Sequence, residues 1–167
     1  MMQECLIKIK TPPKNHIAIM RKSWGLTEKI LSGEKTIESR WYEHKHEPWD
    51  NICEGDLVFF KNSGVPVTGR ATVSRVIQFE NLTSDKTAQI IDQHGDEICL
   101  IDRNPNSSFY TNKKYCVLIF LSSVKKITPF KINKSGFGTM SAWLVVDDIE
   151  KIKIPIDRKI VQKKMFR

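Results

Sequence analysis

Apolar and polar positions alternate with a period of two over several stretches of this chain, and helical spacing is confined to a few short ones. Residues 16–20 read as a short strand. Leu26, Ile30 and Leu31 then share one face of a helix over 24–31, with Ser23 at the N-cap and Gly33 where a left-handed C-cap is wanted. Residues 35–42 return to the strand period: Thr36, Glu38 and Arg40 alternate against Ile37, Ser39 and Trp41, so the charged side chains share a face. Gly55-Asp56 leads into an apolar strand at 57–60, and Gly64-Val65-Pro66 turns the chain into a long β stretch at 67–79, which makes a hairpin. A polar helix is expected over 84–93, then Gly95 and a second short helix over 97–101, and a surface loop over 103–112. Residues 115–121, continuing toward 127, read as a strand, and 142–146 and 149–154 are β-rich as well.

Strands that follow one another through turns, with helices inserted between them, predict a mainly β (α+β) fold: a small β-barrel with two or three helices packed at the barrel ends. A parallel α/β sheet is disfavoured, because strands do not alternate with long helices. The 167 residues make one domain large enough for its own core. The expected organisation is an N-terminal extension over 1–15, the barrel domain over 16–155 and a basic C-terminal tail over 156–167.

The longest unbroken apolar run, 116–121, is six residues, against about twenty for a membrane-spanning helix. No secretory signal is readable in the first ten residues, so a cytoplasmic address and no membrane partner are expected. The four cysteines show no C-x-x-C pair and are expected as reduced thiols. His44 and His46 lack a third nearby ligand, so neither a metal nor an organic cofactor is expected.

Charge is distributed unevenly. The chain holds 27 Lys and Arg against 19 Asp and Glu, a formal +8. Residues 151–167 carry seven basic side chains and one acidic one, and residues 1–16 carry three and one, which leaves the body neutral. Within the body, 103–140 holds seven basic residues and no carboxylate, whereas 78–102 holds six carboxylates and only Lys86. One face can therefore be basic and suit phosphate, or the lysines simply solvate strand ends.

The run Ile30-Leu31-Ser32-Gly33-Glu34-Lys35-Thr36-Ile37-Glu38-Ser39-Arg40, then Gly55-Asp56 before an apolar strand, then Gly69-Arg70-Ala71-Thr72-Val73, resembles the ASCH family, a branch of the PUA-like superfamily of RNA-associated β-barrels. The resemblance covers approximately residues 17–127. It implies a PUA-like barrel with a ligand cleft floored by the barrel and flanked by the first helix. Some members hydrolyse the acetyl amide of N4-acetylcytidine, and others have been described as ribonucleases. In the former the pattern is Lys-Thr-x-Thr-x-Arg. Here Lys35 and Arg40 carry over, but Glu38 holds the position of the proposed nucleophilic Thr. A carboxylate is no equivalent nucleophile for an amide and is better suited to general base or to lysine partner. The middle-region acid of that activity has Glu97, Asp96 and Asp92 as candidates.

The expected function is recognition of single-stranded RNA or a modified nucleotide by a monomer. Lys35 and Arg40 would contact phosphate or base edges, Glu38 would orient them or accept from an exocyclic amine, and Trp41 would stack a base. Thr36 and Ser39 belong to the same segment, and Arg70 to the following strand. Lys61 and Asn62 at a strand end, and Ser141 in the glycine-containing run 134–141, are further candidates for the cleft. Trp24 and Trp143 are expected in the core. In the rival reading the chain is a hydrolase in which Lys35 and Glu38 are catalytic, aided by Tyr42 or Ser141. A third reading is a protein-interaction module using the basic tail.

Overall fold

The computed structural model describes residues 12–155. Six strands form one mixed sheet in the order β2-β5-β4-β3-β1-β6, comprising β1 (Asn15–Met20), β2 (Ile37–Tyr42), β3 (Leu57–Asn62), β4 (Val67–Phe79), β5 (Tyr115–Phe130) and β6 (Trp143–Val146). β1 runs parallel to β3, and all other neighbours are antiparallel. The sheet curls into a half-barrel accompanied by three helices, α1 (Leu26–Ser32), α2 (Ser84–Ile98) and α3 (Ser108–Thr111), so the mainly β (α+β) architecture expected from the pattern, PUA-like as the resemblance implies, is the one observed. Three register shifts along β4 and β5 bend these long strands and allow the curl.

Alternation along the strands sorts side chains into separate cores. In β3, Val58 and Phe60 point inward to meet Ala18, Val73, Val117 and Ile119, with Ile30 of α1 and Trp49 and Ile52 of the 43–56 loop. Phe59, between them, joins Ile17, Leu144 and Ile149 on the opposite side. Each such side chain contributes about 1.5–3 kcal/mol by leaving water. α2 lays Ile90, Ile91 and Ile98 over Ile37, Ile77 and Leu118. Gly69 lets α1 sit close to β4, since a Cβ there would fall 2.6 Å from Leu31 Cδ2.

Several local expectations are corrected. Ser23 caps nothing; it lies in a 3-10 turn, Lys22–Trp24, and α1 starts only after Gly25, whose left-handed backbone (φ 63°) breaks the run. Gly33 does end α1 in the left-handed region (φ 83°). α2 continues through Gly95 to Ile98, because burial of its apolar face outweighs the roughly 1 kcal/mol that an interior glycine costs. The expected loop over 103–112 contains α3, and 149–154 forms a 3-10 turn, Ile149–Lys151, with one isolated bridge from Lys153 to Ile132. Cys53 is disulfide-bonded, against the expectation of four reduced thiols, while Cys99 and Cys116 are free. The basic tail over 156–167 and most of the expected N-terminal extension lie outside the described residues. No helix among the described residues is long and apolar enough to cross a membrane.

Candidate functional site

β2 is one edge of the sheet, and β6, preceded in the sheet order by β1, is the other. Between the free edge of β2 and the end of β1 that extends past its pairing with β6, the protein has a cavity of about 400 Å³, within the size range of small-molecule sites. Because the free edge of β2 faces it, consecutive residues from Glu38 to Tyr42 all reach the cavity wall. One side chain crosses the gap. Arg40 donates Nη1 to Ala142 O (3.3 Å), just before β6, and Nη2 to Met20 Sδ (3.2 Å) at the end of β1, with its guanidinium carbon 5.0 Å above the Trp143 ring.

The charges at this junction are buried. Lys35 is 2% exposed and Glu38 3%. Gly33 turns the chain out of α1 and Lys35 N–H returns to Lys29 O (3.0 Å), which directs the Lys35 side chain under β2. Lys35 Nζ donates to Ile37 O (2.8 Å) and Ile98 O (2.6 Å) and lies 3.3 Å from Glu38 Oε2. Glu38 Oε1 accepts from Arg40 Nε (2.9 Å), but Oε2, buried, accepts no hydrogen bond. Burial pushes the Lys35 ammonium below the usual lysine value of 10.5, against the pull of the Glu38 carboxylate. Two cations around one carboxylate leave the cavity floor with a formal excess of one positive charge.

Trp143, under Arg40, is held from behind. Its indole N–H donates to His16 Nδ1 (3.0 Å), which assigns the His16 proton to Nε2, and Nε2 donates to Asp56 Oδ2 (3.1 Å). Asp56 also accepts from the backbone N–H groups of Cys53 and Lys14, both at 2.9 Å. Burial pushes the Asp56 carboxyl up, but these hydrogen bonds, led by that from His16, together hold it below the usual 3.8.

Aromatic rings line the other walls. Trp24, on the 3-10 turn, is 42% exposed at the cavity with Arg21 4.8 Å over its ring. Trp41 packs edge-on against Tyr110 of α3 (5.0 Å) and donates its N–H to Ser39 Oγ (3.1 Å). Tyr42 donates to Glu47 O and Tyr110 to Asp102 O, each at 2.6 Å. Burial pushes both phenols up to about 12. Unfolded tyrosines ionise near pH 10, so between about pH 10 and about pH 12 the unfolded chain releases protons that the folded one retains, and stability falls as pH rises through that window. Lys35 acts in the opposite sense: its lowered folded value makes stability rise toward pH 10.5. Urea midpoints measured across alkaline pH are expected to decline above about pH 10, and the decline should shrink in a Tyr42→Phe/Tyr110→Phe variant.

Of the sequence-predicted residues, Lys35, Glu38, Ser39, Arg40 and Trp41 line this cavity together. Thr36 does not; it is exposed, with its N–H on Glu97 O and its carbonyl accepting from Leu121. Lys61, Asn62, Arg70 and Ser141 also lie outside its lining. Asn62 is committed to Thr27 and Glu28, and Arg70 sits mid-sheet opposite Phe59 and Lys125. Trp143 is a core residue as expected, whereas Trp24 is not: the turn ahead of Gly25 projects it to the cavity. Sequence reading missed Phe109, Tyr110 and the 98–102 turn, which reach the wall only through the docking of α2 and α3. The aromatic pair Phe109-Tyr110 was the available signal. No group of three or more His, Cys, Asp or Glu that could hold a metal occurs among the described residues.

A curled mixed sheet with a charged cavity at one edge matches a PUA-like α+β barrel. Solved structures narrow this to the ASCH fold. The chain superposes on the ASCH protein of Zymomonas mobilis with a TM-score of 0.58 and 14% identity, covering 92% of this chain and 94% of that one. Two single-residue variants of the same protein give 0.61 at 15% identity, covering 89% and 97%, and 0.60 at 16%, covering 92% and 99%. No family model and no curated protein matches the sequence.

Proposed function

We propose that the gap between the sheet edges takes one base of a single-stranded RNA or one modified nucleotide. The observation that carries this reading is the buried Glu38 carboxylate in the cavity lining, whose Oε1 holds Arg40 and whose Oε2 lies 3.3 Å from Lys35 Nζ without meeting hydrogen-bond geometry. A carboxylate in the lining favours ligands that offer an N–H, such as the amino group of cytosine. Three of the five Arg40 N–H groups are used within the protein, which leaves two for a base carbonyl or a phosphate. Trp24 supplies the exposed face for stacking. Lys35, with two protons on carbonyls and its charge against Glu38, serves in this reading to position Glu38.

Titration of tryptophan fluorescence with cytidine, N4-acetylcytidine, uridine and a short unstructured RNA tests this. Cytidine-type ligands are expected to quench Trp24. Trp24→Ala, on an exposed ring, should weaken binding by about 1–3 kcal/mol, roughly 5- to 150-fold, with the fold intact. Equal affinities for wild type and Trp24→Ala, or no binding by any of these ligands, would refute the proposal. A hydrolytic reading draws on the same side chain, since a carboxylate in a cavity lining is suited to general-base activation of water. Chromatography of N4-acetylcytidine and RNA after incubation decides for it if product accumulates in wild type and not in Glu38→Gln.

A further inference from the structure

Two features singled out in the sequence, Lys61 and the run 134–141, remain outside the cavity, and the fold brings them together. Lys61 of β3 pairs with Ile19 of β1, and Ile19 N–H donates to Ala142 O (2.9 Å). The three residues therefore stand on successive rungs across the sheet. Lys134 folds back over its own loop and donates Nζ to Ser141 O (3.1 Å). That returns a second ammonium to the same rung, close enough for its charge to lower the proton affinity of Lys61 further, after burial has done so.

Lys61 is 7% exposed, yet its ammonium makes no hydrogen bond and neither lysine forms an ion pair among the described residues. An ammonium on a buried stem, held beside a like charge with no counter-ion, opposes folding, and an anion placed between the two would remove that cost. The place adjoins the cavity: Ile19 and Met20 line it, and Ala142 O is the acceptor for Arg40.

We propose that Lys61 and Lys134 bind a phosphodiester group of the nucleic-acid strand, next to the nucleotide whose base occupies the cavity. The anion chemistry stands on the two lysines alone, and the strand as its source rests on the function proposed above.

Lys61→Met, Lys134→Met and their combination keep the aliphatic stems and remove the charges. Binding of pentacytidylate and of cytidine is measured at several salt concentrations, with melting temperature as control. The double variant is expected to bind pentacytidylate at least about tenfold more weakly at low salt, with the slope of log affinity against log salt reduced by about 0.7 for each phosphate that is no longer neutralised. Its affinity for cytidine should be unchanged, and Lys61→Met should melt no lower than wild type. Unchanged pentacytidylate affinity and slope in the double variant would overturn the site. Orthophosphate displacing pentacytidylate from wild type at its own concentration would overturn the strand as source. Loss of pentacytidylate binding in the double variant, with Trp24→Ala inert toward cytidine, would uphold the phosphate site and sink the base-in-cavity reading.

Discussion

Glu38→Ala is expected to destabilise the protein by about 3–5 kcal/mol, because it strands a buried ammonium without its counter-charge. In a chain of this length that is a fall of about 6–20 °C in melting temperature. The reasoning turns on burial. At 2% and 3% exposure, Lys35 and Glu38 are shielded from water that would otherwise replace the lost partner. Arg40 loses its Nε acceptor at the same time, and with it the hold that keeps its fork between Met20 and Ala142. Thermal and urea unfolding of Glu38→Ala, Lys35→Met and a Lys35→Met/Glu38→Gln double variant check this. The double variant should be less destabilised than the sum of its singles, since it removes both charges. A Glu38→Ala protein within about 1 kcal/mol of wild type would mean that the pair behaves as a surface ion pair. Arg40→Lys is not conservative here, because an ammonium cannot bridge Glu38 and the two opposing residues at once.

The second large effect is expected at Asp56. Asp56→Ala leaves the His16 Nε2–H, on a side chain with no exposure, without an acceptor, which costs about 1–3 kcal/mol, and the amides of Cys53 and Lys14 lose theirs as well. His16 then no longer fixes the Trp143 indole, and Trp143 no longer seats Arg40. Ligand affinity should therefore drop in a variant that touches no cavity-lining residue. The acid limb has a definite sign. The Asp56 carboxyl lies below its ordinary 3.8 in the folded state, so its contribution is present above that value and lost as pH falls through it. Asp56→Asn should be less stable than wild type at neutral pH and should lose less on acidification. Parallel acid-unfolding curves for the two proteins would refute the assignment.

Much of the frame was readable from residue order. The alternation in 67–79 matches β4 residue for residue, because a long run of Val, Thr and Ile with period two has few other solutions. Gly33 after an apolar face marked the end of α1, and Lys35, Glu38 and Arg40 could be grouped because strand period places the last two on one side and the helix exit delivers the first. The misreadings share a cause. The pattern predicts a helix running through Gly25 and one ending at Gly95, yet Gly25 separates the 3-10 turn from α1 and Gly95 is carried through α2 by the burial of Ile90, Ile91 and Ile98.

Residue order by itself determined a β-rich barrel and a segment carrying lysine, glutamate and arginine, since backbone periodicity and glycine conformations act over a few residues. Tertiary structure alone decided that the sheet leaves its edges apart and that Arg40 spans the opening. It also decided that Trp24 faces the cavity, and that the end of the 134–142 loop lies beside β1 at the level of Lys61. These pairings join residues far apart along the chain. Their energies come from burial and desolvation, which depend on what the folded chain places around a charge.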